Sequence, residues 1–281
     1  MMIANRYIPR LKVIASTRRT AFTLLELLVV IAVIALMISI LLPALSRSRR
    51  SGMAVACAAK LRESARALMM YANDHDDRAM PLAYTDFEII GAGPPVYWWG
   101  TNESGLVDHE RGFVWPYLQT APSPSGVFEC PEQPWGSYRP QGAARSITST
   151  YAYNGYYLSP SQTPGFSYQI GHRPWQSLAR VKDPARVFAF ADAMIDLGGT
   201  QPRNSALLDP PMLFDGSGWV ENESPTTSFR HVNRAQAASV DGHVESYRAE
   251  SGWIISEQFS IGSVGRGNAP HYVPDWETWT D

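Results

Sequence analysis

Between residues 22 and 42 the chain carries about twenty consecutive residues with a single ionisable side chain, Glu26. As a helix rising ~1.5 Å per residue, such a run is long enough to cross the ~30 Å hydrocarbon core of a bilayer. A carboxylate near mid-bilayer costs roughly 2.5–3.5 kcal/mol, so Glu26 needs a partner and is a functional candidate. Shorter export signals fit less well. A secretory signal peptide has an apolar core of only ~7–15 residues, and the Arg18-Arg19 pair stands one residue too far from Phe22 for a twin-arginine signal. Basic residues flank the run on both sides, with Arg6, Arg10, Lys12, Arg18 and Arg19 before it and Arg47, Arg49, Arg50, Lys60 and Arg62 after it, so charge alone does not orient it.

The helical pattern continues past Pro43. Met53, Cys57, Leu61, Ala65, Leu68 and Ala72 recur every three to four residues and draw one apolar stripe, while Arg49, Arg50, Lys60, Arg62, Glu63 and Arg66 occupy the other faces. This predicts a two-part helix of ~75 Å, apolar all round and then amphipathic, with a bend near Pro43 and a weak point at Gly52. The amphipathic part needs a surface to lie against, which the remainder of the chain must supply. The polar cluster Asn73-Asp74-His75-Asp76-Asp77 stops the helix. Its acids lack the sixth-position Gly and twelfth-position Glu of an EF-hand, so they read as solvated turn residues.

The rest of the chain reads as a loop-rich β domain. The chain of 281 residues contains 21 Gly, 21 Pro, 9 Trp and 13 Tyr, a mixture that suits neither disorder nor a coiled coil. All five basic residues before Ala21 lie in a segment without acids, leaving the remainder near a net charge of −7, which argues against a nucleic-acid binder. Short strands are expected at residues 96–99 and 126–129. A stronger one is expected at 146–155, ending in an Asn154-Gly155 turn, and a buried strand at 186–192, ending in Asp192. Trp98, Trp99 and Trp115 either plug small cores between loops or form a carbohydrate-stacking surface.

The two cysteines, Cys57 on the helical stripe and Cys130 in Phe128-Glu129-Cys130-Pro131, permit one bridge. In an oxidising compartment it would close a loop of about seventy residues and contribute ~2–4 kcal/mol; the alternative is two buried thiols. No CxxC or sequence-local Cys/His grouping indicates zinc.

Ala21-Phe22-Thr23-Leu24-Leu25-Glu26-Leu27 and the apolar run after it resemble the N-terminus of type IV prepilins and type II secretion pseudopilins. The resemblance implies a basic leader at residues 1–21, cut between Ala21 and Phe22, with Ala21 standing where the family usually has Gly. It implies methylation of the new Phe22 amine, pairing of Glu26 with the Phe22 amine of a neighbouring subunit, and Pro43 at the family's helix-kinking position. Cys57 to Leu61 and Met70 to Asp74 resemble the helix end of a prepilin-like group of the planctomycete type, and His231 followed nine residues later by Asp241-Gly242 resembles that group's H-X9-DG region.

Physically the H-X9-DG stretch, residues 231–247, reads as a β-hairpin with strands near 236–240 and 243–247. His231 there either hydrogen-bonds the Asp241 turn carboxylate or stands beside a calcium site built on Asp192 and Asp241. No catalytic nucleophile motif accompanies the pair.

The expected architecture is α+β and pilin-like. It comprises a transmembrane and assembly helix at residues 22–42, an amphipathic continuation at 43–74, and an extracytoplasmic β domain at 75–281 with an antiparallel sheet and long loops. The resemblance implies a structural, non-enzymatic subunit of a type II secretion or type IV pilus-like filament at the bacterial inner membrane. Its partners would be a prepilin peptidase-methyltransferase, other pilin subunits and an assembly platform. The competing reading is a membrane-anchored binding module for glycans that uses the leader for export alone.

Overall fold

The computed structural model describes residues 23–84, 93–118, 126–140, 142–159, 175–215 and 217–280. Among them, helix α1 spans Leu24–Asp74 and thirteen short strands follow. These are β1 (Ala83–Tyr84), β2 (Val96–Tyr97), β3 (Gly100–Glu103), β4 (Leu106–Asp108), β5 (Tyr151–Tyr153), β6 (Phe188–Asp192), β7 (Met212–Phe214), β8 (Trp219–Glu221), β9 (Thr227–Ser228), β10 (Ala235–Ser239), β11 (Val244–Tyr247), β12 (Ile254–Ser256) and β13 (Ile261–Gly262). The architecture is α+β, one long apolar N-terminal helix followed by antiparallel sheets. Two compact units divide the chain, the boundary falling between Arg47 and Ser48 inside α1.

In the first unit, the described side chains up to Arg47 are all solvent-exposed, including the large aliphatics from Leu24 to Leu45. Pro43 lies inside the helix and removes one backbone donor, yet α1 runs through it and through Gly52 without interruption. Ser46 Oγ donates to the Pro43 carbonyl at 2.9 Å.

In the second unit, α1 becomes one-sided. Cys57, Leu61, Ser64, Ala65, Leu68, Tyr71 and Ala72 are buried at three- and four-residue intervals, the face that the apolar stripe marks. The helix ends where Asp76 and Asp77 adopt positive φ of 52° and 60°, allowing Asp77 N–H to donate to the Ala72 carbonyl at 2.8 Å. The Asp77 carboxylate then accepts from Ala179 N at 2.9 Å and from Ser177 Oγ, serving as a turn tie.

The central sheet has the order β11-β10-β6-β5, all antiparallel. Strands β6 and β10 are buried along their whole length, and their Ala189, Ala191, Ala237 and Ala238 join Cys57, Leu61 and Leu68 of α1 in one core cluster. Phe188 and Phe190 are fully buried, each worth about 1.5–3 kcal/mol relative to exposure.

Three expectations change. The 126–129 strand is absent; this segment is a turn held by Thr150 N–H on the Phe128 carbonyl at 2.8 Å and Cys130 N–H on Thr150 Oγ1 at 2.7 Å. The 146–155 strand contracts to β5. Asn154-Gly155 is not a hairpin turn, because Asn154 caps a one-turn helix, α2 (Gly155–Leu158), through Tyr157 N–H. Gly155 is required there by close packing, since a Cβ would come within 2.6 Å of the Leu82 side chain. Trp98 and Trp99 are 0% and 1% exposed, so they plug the core and present no stacking face to a glycan. Trp98 Nε1 donates to the Ala206 carbonyl at 2.9 Å.

Candidate functional site

Glu26 sits in the first turn of α1, where the leading N–H groups of a helix lack intrahelical partners. Its Oε2 accepts from both Thr23 N and Thr23 Oγ1 at 2.8 Å, and Glu26 N–H donates to Thr23 Oγ1 at 3.2 Å. This reciprocal exchange is a capping box, with Thr23 as the cap and Glu26 three residues inside. The Thr-x-x-Glu signature ahead of an apolar run was available in the sequence as its sign. Ala21 and Phe22 lie outside the described residues.

A second constellation forms inside the domain. Cys57 Sγ on α1 lies 3.3 Å from Cys130 Sγ and 3.2 Å from Asp192 Oδ1, and Cys130 Sγ lies 3.4 Å from His231 Nε2. The His231 ring spans two carboxylates, with Nε2 3.2 Å from Asp192 Oδ2 and Nδ1 2.5 Å from Glu132 Oε2. All four of Cys57, Cys130, Asp192 and His231 are buried, and their ligand atoms lie within 4.8 Å of one another. The thiols are free and in contact.

Local structure explains this convergence. Cys57 faces inward on the buried stripe of α1, and Asp192 ends the buried strand β6 with Oδ2 accepting from Gln236 N of β10 at 2.8 Å. His231 opens a tight turn in which Val232 and Asn233 have φ of 54° and 58° and His231 N–H and Arg234 N–H exchange carbonyls. Positive φ is unusual for a β-branched residue, and it lets the chain reverse directly beside the cluster.

Arg230 supplies the compensating cation. Its side chain is 5% exposed, with Nε 3.5 Å from Asp192 Oδ1 and Nη2 donating to the Thr150 and Ala193 carbonyls. Burial opposes ionisation of Asp192, but Arg230 and His231 hold its carboxyl below the ordinary range. Burial likewise disfavours the His231 imidazolium, yet hydrogen bonds to Asp192 and Cys130 raise its pKa to about 10. Burial pushes the Cys57 thiol well up. For Cys130, burial is outweighed by the Cys57 hydrogen bond and the Arg230 and His231 neighbours, which bring the thiol down to about 5. A buried thiol with a depressed pKa, beside a second sulfur, an imidazole and a carboxylate, has the chemistry of a metal ligand or of one half of a disulfide.

Residues 16–42 match the prokaryotic N-terminal methylation motif. No curated protein and no solved structure matches the chain. The methylation motif supports a prepilin-type leader and a pilin-like protein processed by a prepilin peptidase, and such proteins assemble with other pilin subunits. The helix that follows is long and apolar enough to anchor in a membrane.

Downstream of the methylation motif, the 231–247 region forms a hairpin, β10 and β11 paired from Ala235↔Tyr247 to Ala238↔Val244. Gly242 supplies the positive φ of 88° that closes its turn, with Gly242 N–H on the Ser239 carbonyl at 2.9 Å. The structure separates the roles sequence reasoning joined there. Asp241 lies on the exposed turn and its Oδ1 accepts from His243, 2.7 Å from Nδ1, whereas His231 faces Asp192 and Glu132. Asp192 therefore keeps company with Cys57, Cys130 and His231, and Asp241 is outside that group. The sequence reading found no Cys/His grouping because its members are brought together only by the fold. Arg230, the residue before His231, and Glu132, in the turn after Cys130, carry no local signal of their place in the cluster.

Proposed function

We propose that this chain is a structural subunit of a type II secretion or type IV pilus-like filament, a pseudopilin of the planctomycete-type group with an H-X9-DG hairpin. The observation that carries the reading is the methylation motif at residues 16–42, within and after which the large aliphatic side chains of α1 from Leu24 to Leu45 are all exposed in the isolated subunit. Such a surface is stable only in lipid or among like helices, the two environments a pilin occupies before and after assembly. Before assembly the protein spans the inner membrane once, with residues 75–281 outside the cytoplasm. A prepilin peptidase-methyltransferase cuts between Ala21 and Phe22 and methylates Phe22, and an inner-membrane platform assembles the product with other subunits. Within the filament, Glu26 exchanges part of its Thr23 capping contact for the Phe22 amine of the next subunit and so sets the helical register.

The test is intact-mass spectrometry of the protein recovered from its native membranes. A chain beginning at methylated Phe22 is expected; an uncut chain, or one beginning after Ser46, would overturn the reading in favour of an anchored or secreted binding module.

A further inference from the structure

We propose that Cys57, Cys130, Asp192 and His231 hold one zinc ion in a closed tetrahedral site that fastens α1 to the central sheet. At zinc bond lengths of ~2.3 Å to sulfur and ~2.0–2.2 Å to nitrogen and oxygen, a tetrahedron separates its ligand atoms by about 3.3–3.8 Å. The contacts here are 3.3 Å between the sulfurs, 3.2 Å from Cys57 to Asp192 Oδ1, 3.4 Å from Cys130 to His231 Nε2 and 3.2 Å from His231 Nε2 to Asp192 Oδ2, and one ligand atom from each residue lies within 4.8 Å of the others. The four residues thus already stand near the spacing of a loaded site, in which one Asp192 oxygen would serve as the ligand.

Ligand chemistry chooses the metal. Two thiolates and an imidazole suit zinc, whereas calcium takes six to eight oxygens and would find one carboxylate. Four buried protein ligands leave no open position for water, the pattern of a structural site. The His231 ring is oriented for the task, since Glu132 Oε2 occupies Nδ1 and turns Nε2 toward Cys130 and Asp192. Charge also balances. Two thiolates, one carboxylate and a dication sum to −1, which the buried Arg230 guanidinium offsets. Tyr151 Oη donates to Cys57 Sγ at 3.2 Å, and Arg230 Nε and Nη1 have no hydrogen-bond partner among the described residues.

A disulfide would use only the two sulfurs and leave His231 Nε2 to Asp192, whereas a metal would use all four side chains. The zinc ion instead ties together points 73, 101 and 135 residues apart in the chain.

The experiment measures metal and thiols together on the full chain purified in mild detergent from cells grown without added metal. About one zinc per chain is expected by elemental mass spectrometry, with both cysteines alkylated only after denaturation in chelator. Cobalt(II) added after zinc removal is expected to give the visible spectrum of a tetrahedral thiolate site. Cys130→Ser and His231→Ala should lose the metal, and Glu132→Gln should bind it about 10–100-fold more weakly. Cysteines joined in a disulfide with no zinc, cobalt without a thiolate spectrum, or full zinc retention in Cys130→Ser would each overturn the proposal. Should the variants fail to fold, the metal and thiol counts of the unmodified chain still decide it.

Discussion

Two carboxylates in this molecule find their partners in opposite ways. Glu26 lies in a helix exposed along its whole apolar length and is satisfied by Thr23, three residues away. Asp192 is 0% exposed and is satisfied by Arg230, His231 and Gln236 N, all of which arrive from distant sequence. A local partner keeps its carboxylate satisfied without any tertiary structure, leaving the acid available to a second subunit. A distant partner ties its carboxylate to the fold, so Asp192 reports on whether the domain is assembled at all. The first contact is specified within one helical turn, and the second by the whole fold; the proposed assembly role of Glu26 would draw on the former.

The sharpest way to break this contrast is to remove the distant partner. Arg230→Met leaves Asp192 buried without its guanidinium and should destabilise the domain by about 3–5 kcal/mol, read as a shift in the denaturation midpoint. In the chain stripped of metal, adding Asp192→Leu should return part of that loss, because a matched apolar pair carries no stranded charge. A single-variant loss under about 1 kcal/mol would mean that the ion pair is not what secures the sheet.

A smaller effect tests the same physics at an acid with no such partner among the described residues. Asp209 lines a cavity of about 250 Å³ with Leu82, Tyr97, Leu207 and Leu213, and burial raises its pKa to about 7. Its folded-state pKa lies above the unfolded value of ~3.9, so stability is full below pH ~4, falls as the pH rises towards 7, and is flat beyond. The side chain is only half-buried, which limits the loss to about 2 kcal/mol. Denaturation from pH 4 to 8 should show this slope, and Asp209→Asn should flatten it.

How far the sequence reveals these features follows from the distance over which each is specified. The apolar helix, its amphipathic continuation and the β10–β11 hairpin all rest on periodicity or a local turn signal, and each appears where the pattern puts it. The 126–129 segment failed as a strand because a short apolar run is equally suited to a buried turn, and Thr150 decides between them from twenty residues away. The cluster around Asp192 was illegible for the same reason in stronger form: Cys57, Cys130 and His231 have ordinary neighbours, and nothing local says that a helix, a turn and a strand end will meet. Glu26 lies between these cases. Its chemistry was legible from the apolar run, but the capping role emerged only with the Thr23 geometry.

At the helix start, Thr23→Ala should remove one side of the capping box and cost about 1 kcal/mol locally, seen as faster amide exchange in the first turn of α1. The domain's denaturation midpoint should not move, since none of its buried residues depends on this cap. Movement of both would show that the two regions are coupled more tightly than the local bonding around Thr23 implies.

The smallest effect on folding, and the most discriminating for function, belongs to Glu26→Gln. Glutamine keeps an acceptor oxygen for Thr23 N–H and Thr23 Oγ1, so the box survives and stability should change by less than about 0.5 kcal/mol. The charge is gone, however, and with it the proposed attraction to a neighbouring Phe22 amine. Filament incorporation, followed by shearing and immunoblotting, should therefore fall sharply while the variant remains cut, membrane-inserted and folded. Normal incorporation of Glu26→Gln would reduce Glu26 to a capping residue and place the register of any filament elsewhere. Loss of incorporation in Glu26→Gln alongside normal incorporation of Thr23→Ala would separate the two duties of one carboxylate, leaving the cap to the single chain and the charge to the assembly.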